Sequence, residues 1–170
     1  MSSPGARAVA PPPDPGLLSL YDHALPQVYG YLLARCGQRA LAEDLTAETF
    51  LAAVSAAGPV TAGWLIGTAR HKLVDHWRRL EREERSLRLV HDEGAADPWD
   101  TELDAIRAQQ VLDGLAAQHR AVLTLRYLDD LPVPQVAALL DRTVHATEAL
   151  LVRARAAFRR AYVTTGGSDD

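Results

Sequence analysis

The spacing of the apolar residues is the feature that most constrains the fold of this chain. From Leu17 to Tyr162 they recur at intervals of three and four, which is the period of one face of an α-helix. No segment requires a strand to explain it. Apolar residues make up 48% of the sequence and charged residues 24%, which is the composition of a folded globular protein. The pattern therefore predicts an all-α fold.

Three amphipathic helices are predicted in the first half of the chain, over residues 17–35, about 39–56 and about 61–89. Pro26 either kinks the first helix or marks a helix start. We expect the inner faces to include Leu41, Leu45, Leu51 and Val54 in the second helix and Trp64 and Trp77 in the third.

Charge divides the chain into two basic blocks that a formal net charge of −4 conceals. Residues 59–90 contain seven Lys or Arg and four Asp or Glu, and residues 131–160 contain five Lys or Arg and two Asp or Glu. Residues 91–105 contain six acids and no Lys or Arg. Because Lys and Arg supply most of the affinity for nucleic acid, this distribution indicates two basic modules on either side of an acidic connector.

A division into segments follows from these patterns. We expect a disordered Pro-rich tail at 1–16, a helical domain at 17–89, a flexible acidic linker at 90–100, a second helical domain at 101–162 and a disordered tail at 163–170. Thr101 and Asp104 resemble a capping box that opens the second domain. A single helical bundle would explain the apolar stripes equally well, but it would not explain the acidic gap.

The segment from Val133 to Arg160 has the pattern of a helix-turn-helix. Ala137 is small enough for two helices to approach closely, and Asp141 tolerates the left-handed turn between them. Thr143 is a suitable N-cap for the second helix. From these residues alone, an antiparallel helix pair with a solvated basic face is an equally good interpretation.

The sequence offers little that indicates an enzyme. Cys36 is the single cysteine, which excludes an intramolecular disulfide, and no apolar run reaches the roughly 18 residues of a membrane span, so membrane insertion is not expected. His71 and Asp75 lie one helical turn apart, but His76 points elsewhere and no third ligand or nucleophile accompanies them. We therefore expect no catalytic residue, no metal and no cofactor, although a stoichiometric ion would revive the enzyme interpretation.

Two stretches together resemble one protein family. LAAQHRAVLTLRYLDDL, VPQVAALL and VRARAAFRRAY resemble region four of a sigma factor, while LYDHALPQVYGYLL, ALAEDLTAETFLAAV and GWLIGTARHKLVDHWRR resemble region two. They cover nearly everything from Leu20 to Tyr162, and the shortness of the chain indicates the extracytoplasmic-function group. The resemblance implies a region 2 bundle of three to four helices and a region 4 helix-turn-helix domain, joined by the acidic linker.

The resemblance also implies a function and a set of contacts. A protein of this kind is a cytoplasmic transcription initiation factor that binds core RNA polymerase, at the β′ clamp helices and the β flap, and promoter DNA; an anti-sigma factor is a further partner that it allows. The implied polymerase contacts are Asp44, Glu48 and Phe50. The implied contacts to the −10 element are Pro59, Val60 and Thr61, as the lining of a base pocket, with Arg70, Lys72, Arg78 and Arg79. The implied contacts to the −35 element are Arg142, His145, Thr147, Glu148, Arg153 and Arg155.

One other class of DNA-binding protein stays open at this point. A conventional helix-turn-helix regulator binds operator DNA without polymerase, usually as a symmetric dimer. The segments EDLTAETF and GWLIGTARHKLVDHWRR argue against it, because a ligand-sensing or dimerising half requires neither.

Overall fold

The computed structural model of the protein describes residues 15–87 and 104–166. Within those two ranges every regular element is a helix and no strand occurs, which confirms the all-α prediction. The predicted linker at 90–100, Thr101 and most of the predicted N-terminal tail lie outside the described residues.

The first half is a bundle of three helices in mutual contact: α1 (Pro15–Cys36), α2 (Arg39–Val54) and α3 (Ala62–Leu87). Pro26 lies inside α1, which continues through it. Residues 15 and 16, which were assigned to the predicted tail at 1–16, are helical, because α1 begins at Pro15. Gly37 ends α1 with φ 68°, and its N–H donates to the Leu33 carbonyl, which lets the chain reverse into α2.

The inner face of α2 differs from the prediction. Leu51 and Val54 are exposed (68% and 69%), while Thr46 and Thr49 are buried and donate their hydroxyls to carbonyls one turn earlier. Those internal hydrogen bonds allow threonine to occupy a core position. Trp64 was expected in the core as well and is 36% exposed, whereas Trp77 is buried at 1% as predicted.

The described part of the second half, residues 104–166, contains four helices. They are α4 (Ala105–Gly114), α5 (Ala117–Leu123), which continues as a π-helical turn (Thr124–Leu128), α6 (Val133–Leu139) and α7 (Val144–Gly166). Asp104 itself is the N-cap of α4, since its carboxylate accepts from the N–H groups of Ile106 and Arg107. This corrects the predicted capping box, in which Asp104 was the third residue after the cap. Residues 163–166, which were assigned to the predicted tail at 163–170, belong to α7.

The helix-turn-helix has the predicted geometry. Asp141 adopts a left-handed conformation with φ 52°, and the Thr143 hydroxyl accepts from the Ala146 N–H at 3.1 Å, as an N-cap does. Ala137 and Leu150 are buried between α6 and α7. Both details of the turn therefore follow from local residue chemistry.

The two halves do not stay apart in this structure. Helix α3 packs against α5, so the buried apolar residues of both halves form one continuous cluster. Polar contacts reinforce the interface: a Glu84 carboxylate oxygen accepts from the Ala117 N–H at 3.1 Å, and Arg142 pairs with Glu81 at 2.5 Å. The prediction of two helical domains is compatible with this, but the two domains are in contact and not merely joined by a linker.

None of the helices in the described part of the chain combines the length and apolarity required to cross a bilayer.

The cap at the helix-turn-helix can be tested directly. Thr143→Ala removes the acceptor for the Ala146 N–H at the start of α7, and we expect a loss of about 1 kcal/mol in the free energy of unfolding. Thr143→Ser keeps the hydroxyl and should recover most of that loss. Urea unfolding followed by circular dichroism measures both; equal losses for Ala and Ser would contradict the capping role.

Candidate polymerase and nucleic-acid interface

An acidic surface lies on α2. Asp44 and Glu48 are exposed and stand one helical turn apart, so both carboxylates point from the same face. Phe50, the third predicted polymerase contact, is only 8% exposed and packs edge-on against Tyr21 with ring centroids 4.7 Å apart. Because the Phe50 ring is buried in the core of the bundle, its position does not fit a direct contact with polymerase.

A basic depression lies beside that acidic surface. It encloses about 360 Å³ and is lined by Glu48, Lys72, Asp75, Arg78, Arg79 and Arg82. Three of the predicted −10 contacts, Lys72, Arg78 and Arg79, thus come together. Arg82 belongs to the same surface and was missing from the predicted set, although its spacing of three from Arg79 places it on the same helical face. Clustered cations of this kind bind phosphate oxygens.

The local excess of cations also acts on a neighbouring histidine. Burial lowers the pKa of His76, and the positive charges of Arg79 and Arg120 lower it further.

His71, Asp75 and His76 were the residues of the enzyme interpretation. Across the described residues, no three His, Cys, Asp or Glu side chains are placed to hold a metal ion.

Arg70 points away from the basic depression and toward the second half. Its Nε lies 3.1 Å from Oδ2 of Asp129, and the Nε of Arg35 lies 2.6 Å from Oδ1 of the same carboxylate. The Tyr31 hydroxyl donates to Oδ2 at 2.8 Å. Arg70 was predicted to bind −10 phosphates, but here it is part of this cluster of Tyr31, Arg35, Arg70 and Asp129, called the Asp129 cluster below.

Two side chains of the Asp129 cluster, Tyr31 and Arg70, have raised pKa values. Burial raises the pKa of Tyr31 to about 12, with the charge of Asp129 and the hydrogen bond to it acting in the same direction. For Arg70, burial opposes the charged form, but Tyr31 and Asp129 outweigh it and the pKa is raised. The guanidinium of Arg35 also lies over the Tyr31 ring, 3.8 Å from its centroid. The Asp129 carboxylate is thus contacted by the Tyr31 hydroxyl and by the guanidinium groups of Arg35 and Arg70.

The loop before α3 holds the predicted base-pocket residues. Pro59 is exposed, Val60 is half-buried against the core, and the Thr61 hydroxyl accepts from the Trp64 N–H at 3.1 Å, which caps α3. The loop itself has no aromatic residue. Trp64, which was predicted to lie in the core, is partly exposed one turn into α3 and supplies the aromatic surface next to the loop.

The predicted −35 residues separate into accessible and engaged groups. His145 and Glu148 are exposed at the start of α7, where a recognition helix presents its base contacts. Thr147 is fully buried and donates to the Thr143 carbonyl, so its position does not fit a base contact. Arg142 pairs with Glu81 of α3. Arg153 and Arg155 are half-buried along α7.

The raised pKa of Tyr31 predicts a pH dependence. Above its ordinary value of 10.0 the unfolded chain loses the phenolic proton while the folded chain keeps it up to about 12, so the free energy of unfolding falls as pH rises through this window. Tyr31→Phe should make that alkaline decline shallower and cost about 1 kcal/mol at neutral pH for the lost hydrogen bond to Asp129. Urea unfolding across pH measures both effects, with Tyr29→Phe on the same helix as control; an unchanged alkaline slope in Tyr31→Phe would contradict the assignment.

Two family models match the chain in succession. The model of Sigma-70 region 2 matches residues 20–83, which is the bundle of α1 to α3, and the model of Sigma-70, region 4 matches residues 105–158, which runs from α4 into α7. Together they account for both helical halves and leave out the segment between them.

Curated relatives and a solved structure agree with these matches. The chain is 34% identical over 148 residues to the ECF RNA polymerase sigma factor BldN of Streptomyces coelicolor, covering 79% of this chain and 56% of that protein, so it spans little more than half of that relative's length. It is 24% identical to the ECF RNA polymerase sigma factor SigM of Bacillus subtilis, over 84% of this chain and 93% of the relative. The fold is similar to that of the sigma factor RpoE of Bartonella quintana, solved with the anti-sigma factor NepR, with a TM-score of 0.52 and 19% identity over 91% of this chain and 99% of that one.

The order of region 2 and region 4, the two-part helical fold and the named relatives lead to the same conclusion. This chain belongs to the extracytoplasmic-function sigma factors of the sigma-70 family.

Proposed function

We propose that this chain is a transcription initiation factor that binds core RNA polymerase and directs it to promoters through −10 and −35 recognition. The observation that supports this best is the presence of region 2 and region 4 in order, with an exposed acidic face on α2 directly beside a basic depression on α3. Such a protein brings an enzyme to DNA and carries out no chemistry itself.

The acidic face of α2 is the proposed polymerase contact. Asp44 and Glu48 are exposed and one turn apart, so they can meet a basic partner surface such as the β′ clamp helices, and opposite charges would speed the encounter. We propose the β flap as the contact of region 4. Because bacterial polymerase works on cytoplasmic DNA, we place the protein in the cytoplasm.

The DNA contacts are proposed on both halves. The basic depression would hold phosphates of the −10 element, while Pro59, Thr61 and the exposed ring of Trp64 would receive an unpaired base by stacking. On region 4, the side chains of His145 and Glu148 would enter the major groove, where a Glu can accept a hydrogen bond from cytosine N4. Residues 17–89 and 101–162 then act as separate DNA-binding domains joined by the linker at 90–100.

An anti-sigma factor is a proposed further partner. The solved RpoE of Bartonella quintana is described in complex with the anti-sigma factor NepR, and this chain has a similar fold. We propose that a protein of the same class can bind this chain.

A conventional operator-binding regulator would account only for the helix-turn-helix. It would leave the region 2 match and the acidic face of α2 without a purpose. Co-purification with core polymerase separates the two functions, since an operator-binding regulator would not be retained.

The docking face can be tested by charge reversal. Asp44→Arg with Glu48→Arg should abolish run-off transcription with core polymerase, because two attractive carboxylates become cations facing a basic surface. Asp22→Arg reverses the charge of an exposed acid on α1 and, as the control, should retain transcription. Circular dichroism checks that the helices are intact. Equal loss in the control, or full activity of the double variant, would contradict docking through α2.

The basic depression can be tested by the salt dependence of promoter binding. Lys72→Ala and Arg79→Ala each remove one cation, so each should lower the slope of log affinity against log salt by about 0.9 for the polymerase complex. Arg39→Ala removes an exposed cation at the start of α2, outside the depression, and should leave the slope unchanged. Filter binding at several salt concentrations measures it; identical slopes for all three variants would argue against phosphate contacts here.

A further inference from the structure

The Asp129 cluster joins the two halves of the chain at a single carboxylate. Its acid comes from the turn after the π-helical segment in the second half, while Tyr31, Arg35 and Arg70 all belong to the first half. The Asp129 side chain is 1% exposed, and both of its oxygens are engaged at 2.6 to 3.1 Å. Each of these three contacts therefore crosses the interface.

The burial of Asp129 favours two discrete states of the chain, one with the halves in contact and one with the halves fully separated, over intermediate separations. A buried carboxylate without its cationic partners is strongly unfavourable, so a small separation that exposes neither side to water is disfavoured. Once the halves part completely, water solvates Asp129 and both arginines. The local backbone supports the closed geometry, since Asp130 adopts φ 51° and the Leu131 N–H donates to the Leu125 carbonyl, which holds the turn against the helix end.

Three arginines that the sequence predicted to bind promoter DNA form ion pairs across the interface. Arg70 is engaged by Asp129. Arg142 of the helix-turn-helix pairs with Glu81 of α3 at 2.5 Å, and Arg78 lies 3.6 Å from Asp141 of the same turn. Three candidate phosphate-binding cations thus have carboxylate partners from the opposite half, which take the place that phosphates would occupy.

We propose that the Asp129 cluster is a latch that keeps the chain closed and autoinhibited for DNA binding until core polymerase separates the halves. In the closed state the ion pairs withhold Arg70 and Arg142 from DNA, and opening releases both arginines. The autoinhibitory part rests on the proposed function, while the latch itself concerns only the two halves of this chain.

The chain offers a matched pair of variants for this test. Asp129→Asn removes the buried charge, while Asp130→Asn makes the same change of charge and type at the adjacent residue, whose exposed carboxylate pairs with Arg126 of its own half. Any effect of net charge on DNA binding is common to both. The difference between the two variants therefore measures the effect of the contact between the halves.

The first measurement uses no DNA and no polymerase. Spin labels on Gln27→Cys in α1 and Gln110→Cys in α4, both exposed positions, report the distance between the halves by pulsed electron resonance in the full chain. We expect one narrow distribution in the parent and in Asp130→Asn, and a longer, broader one in Asp129→Asn. A narrow, unshifted distribution in Asp129→Asn would overturn the latch.

The second measurement tests autoinhibition. If closure predominates by about ten to one, opening should raise the affinity of the polymerase-free chain for a promoter duplex by up to about tenfold in Asp129→Asn, compared with less than twofold in Asp130→Asn. Equal affinities for the two variants, with the halves separated in the first measurement, would overturn autoinhibition.

A second variant protects the test against simple misfolding. Arg35→Met opens the same cluster from the first half, keeps apolar bulk beside Tyr31 and alters no proposed DNA contact. It should reproduce the longer distance at unchanged helicity; an unshifted distance would count against the latch. Failure of the parent to support transcription with polymerase, with the distances as expected, would overturn the proposed function and leave the latch standing.

Discussion

Burial of the apolar stripe of α3 is the constraint on which the rest of the structure depends. Leu65, Leu73 and Trp77 are nearly inaccessible, and α3 contacts α1 and α2 on one side and α5 on another. A helix with so much buried surface can present its charges only along the faces that remain. The basic depression and Arg70 therefore occupy different faces of the same helix, one toward solvent and one toward the second half.

The electrostatics follow from this placement rather than from the overall charge. A net charge of −4 is compatible with a nucleic-acid interface because the cations are concentrated on α3 and α7 and the acids on α2 and between the halves. Glu48 lies at the edge of the basic depression, so the proposed polymerase and DNA surfaces adjoin. In water such neighbouring charges interact weakly, whereas the buried Asp129 carboxylate interacts strongly with its partners because little solvent screens it.

Features governed by near neighbours in the chain could be predicted. The helices follow from apolar periodicity, and the turn of the helix-turn-helix follows from Asp141 and Thr143, whose effects act within three residues. Side-chain burial was predicted less well. Leu51 and Trp64 were expected inside and are exposed, while Phe50 and Thr147 were expected at contacts and are buried. Periodicity identifies the existence of an apolar face but leaves its rotation uncertain by about one residue, because packing partners select which side turns inward.

By itself the sequence determined the all-helical class, the order of region 2 and region 4, and the geometry of the turn between α6 and α7, since each depends on residues close together in the chain. Only the tertiary structure decided that the halves close on each other and that Asp129 engages Tyr31 and Arg70, which are 98 and 59 positions away. No periodicity or spacing encodes a contact at such separations. The contact exists because the packing of α3 on α5 brings distant charges together and excludes the water that would otherwise screen their attraction.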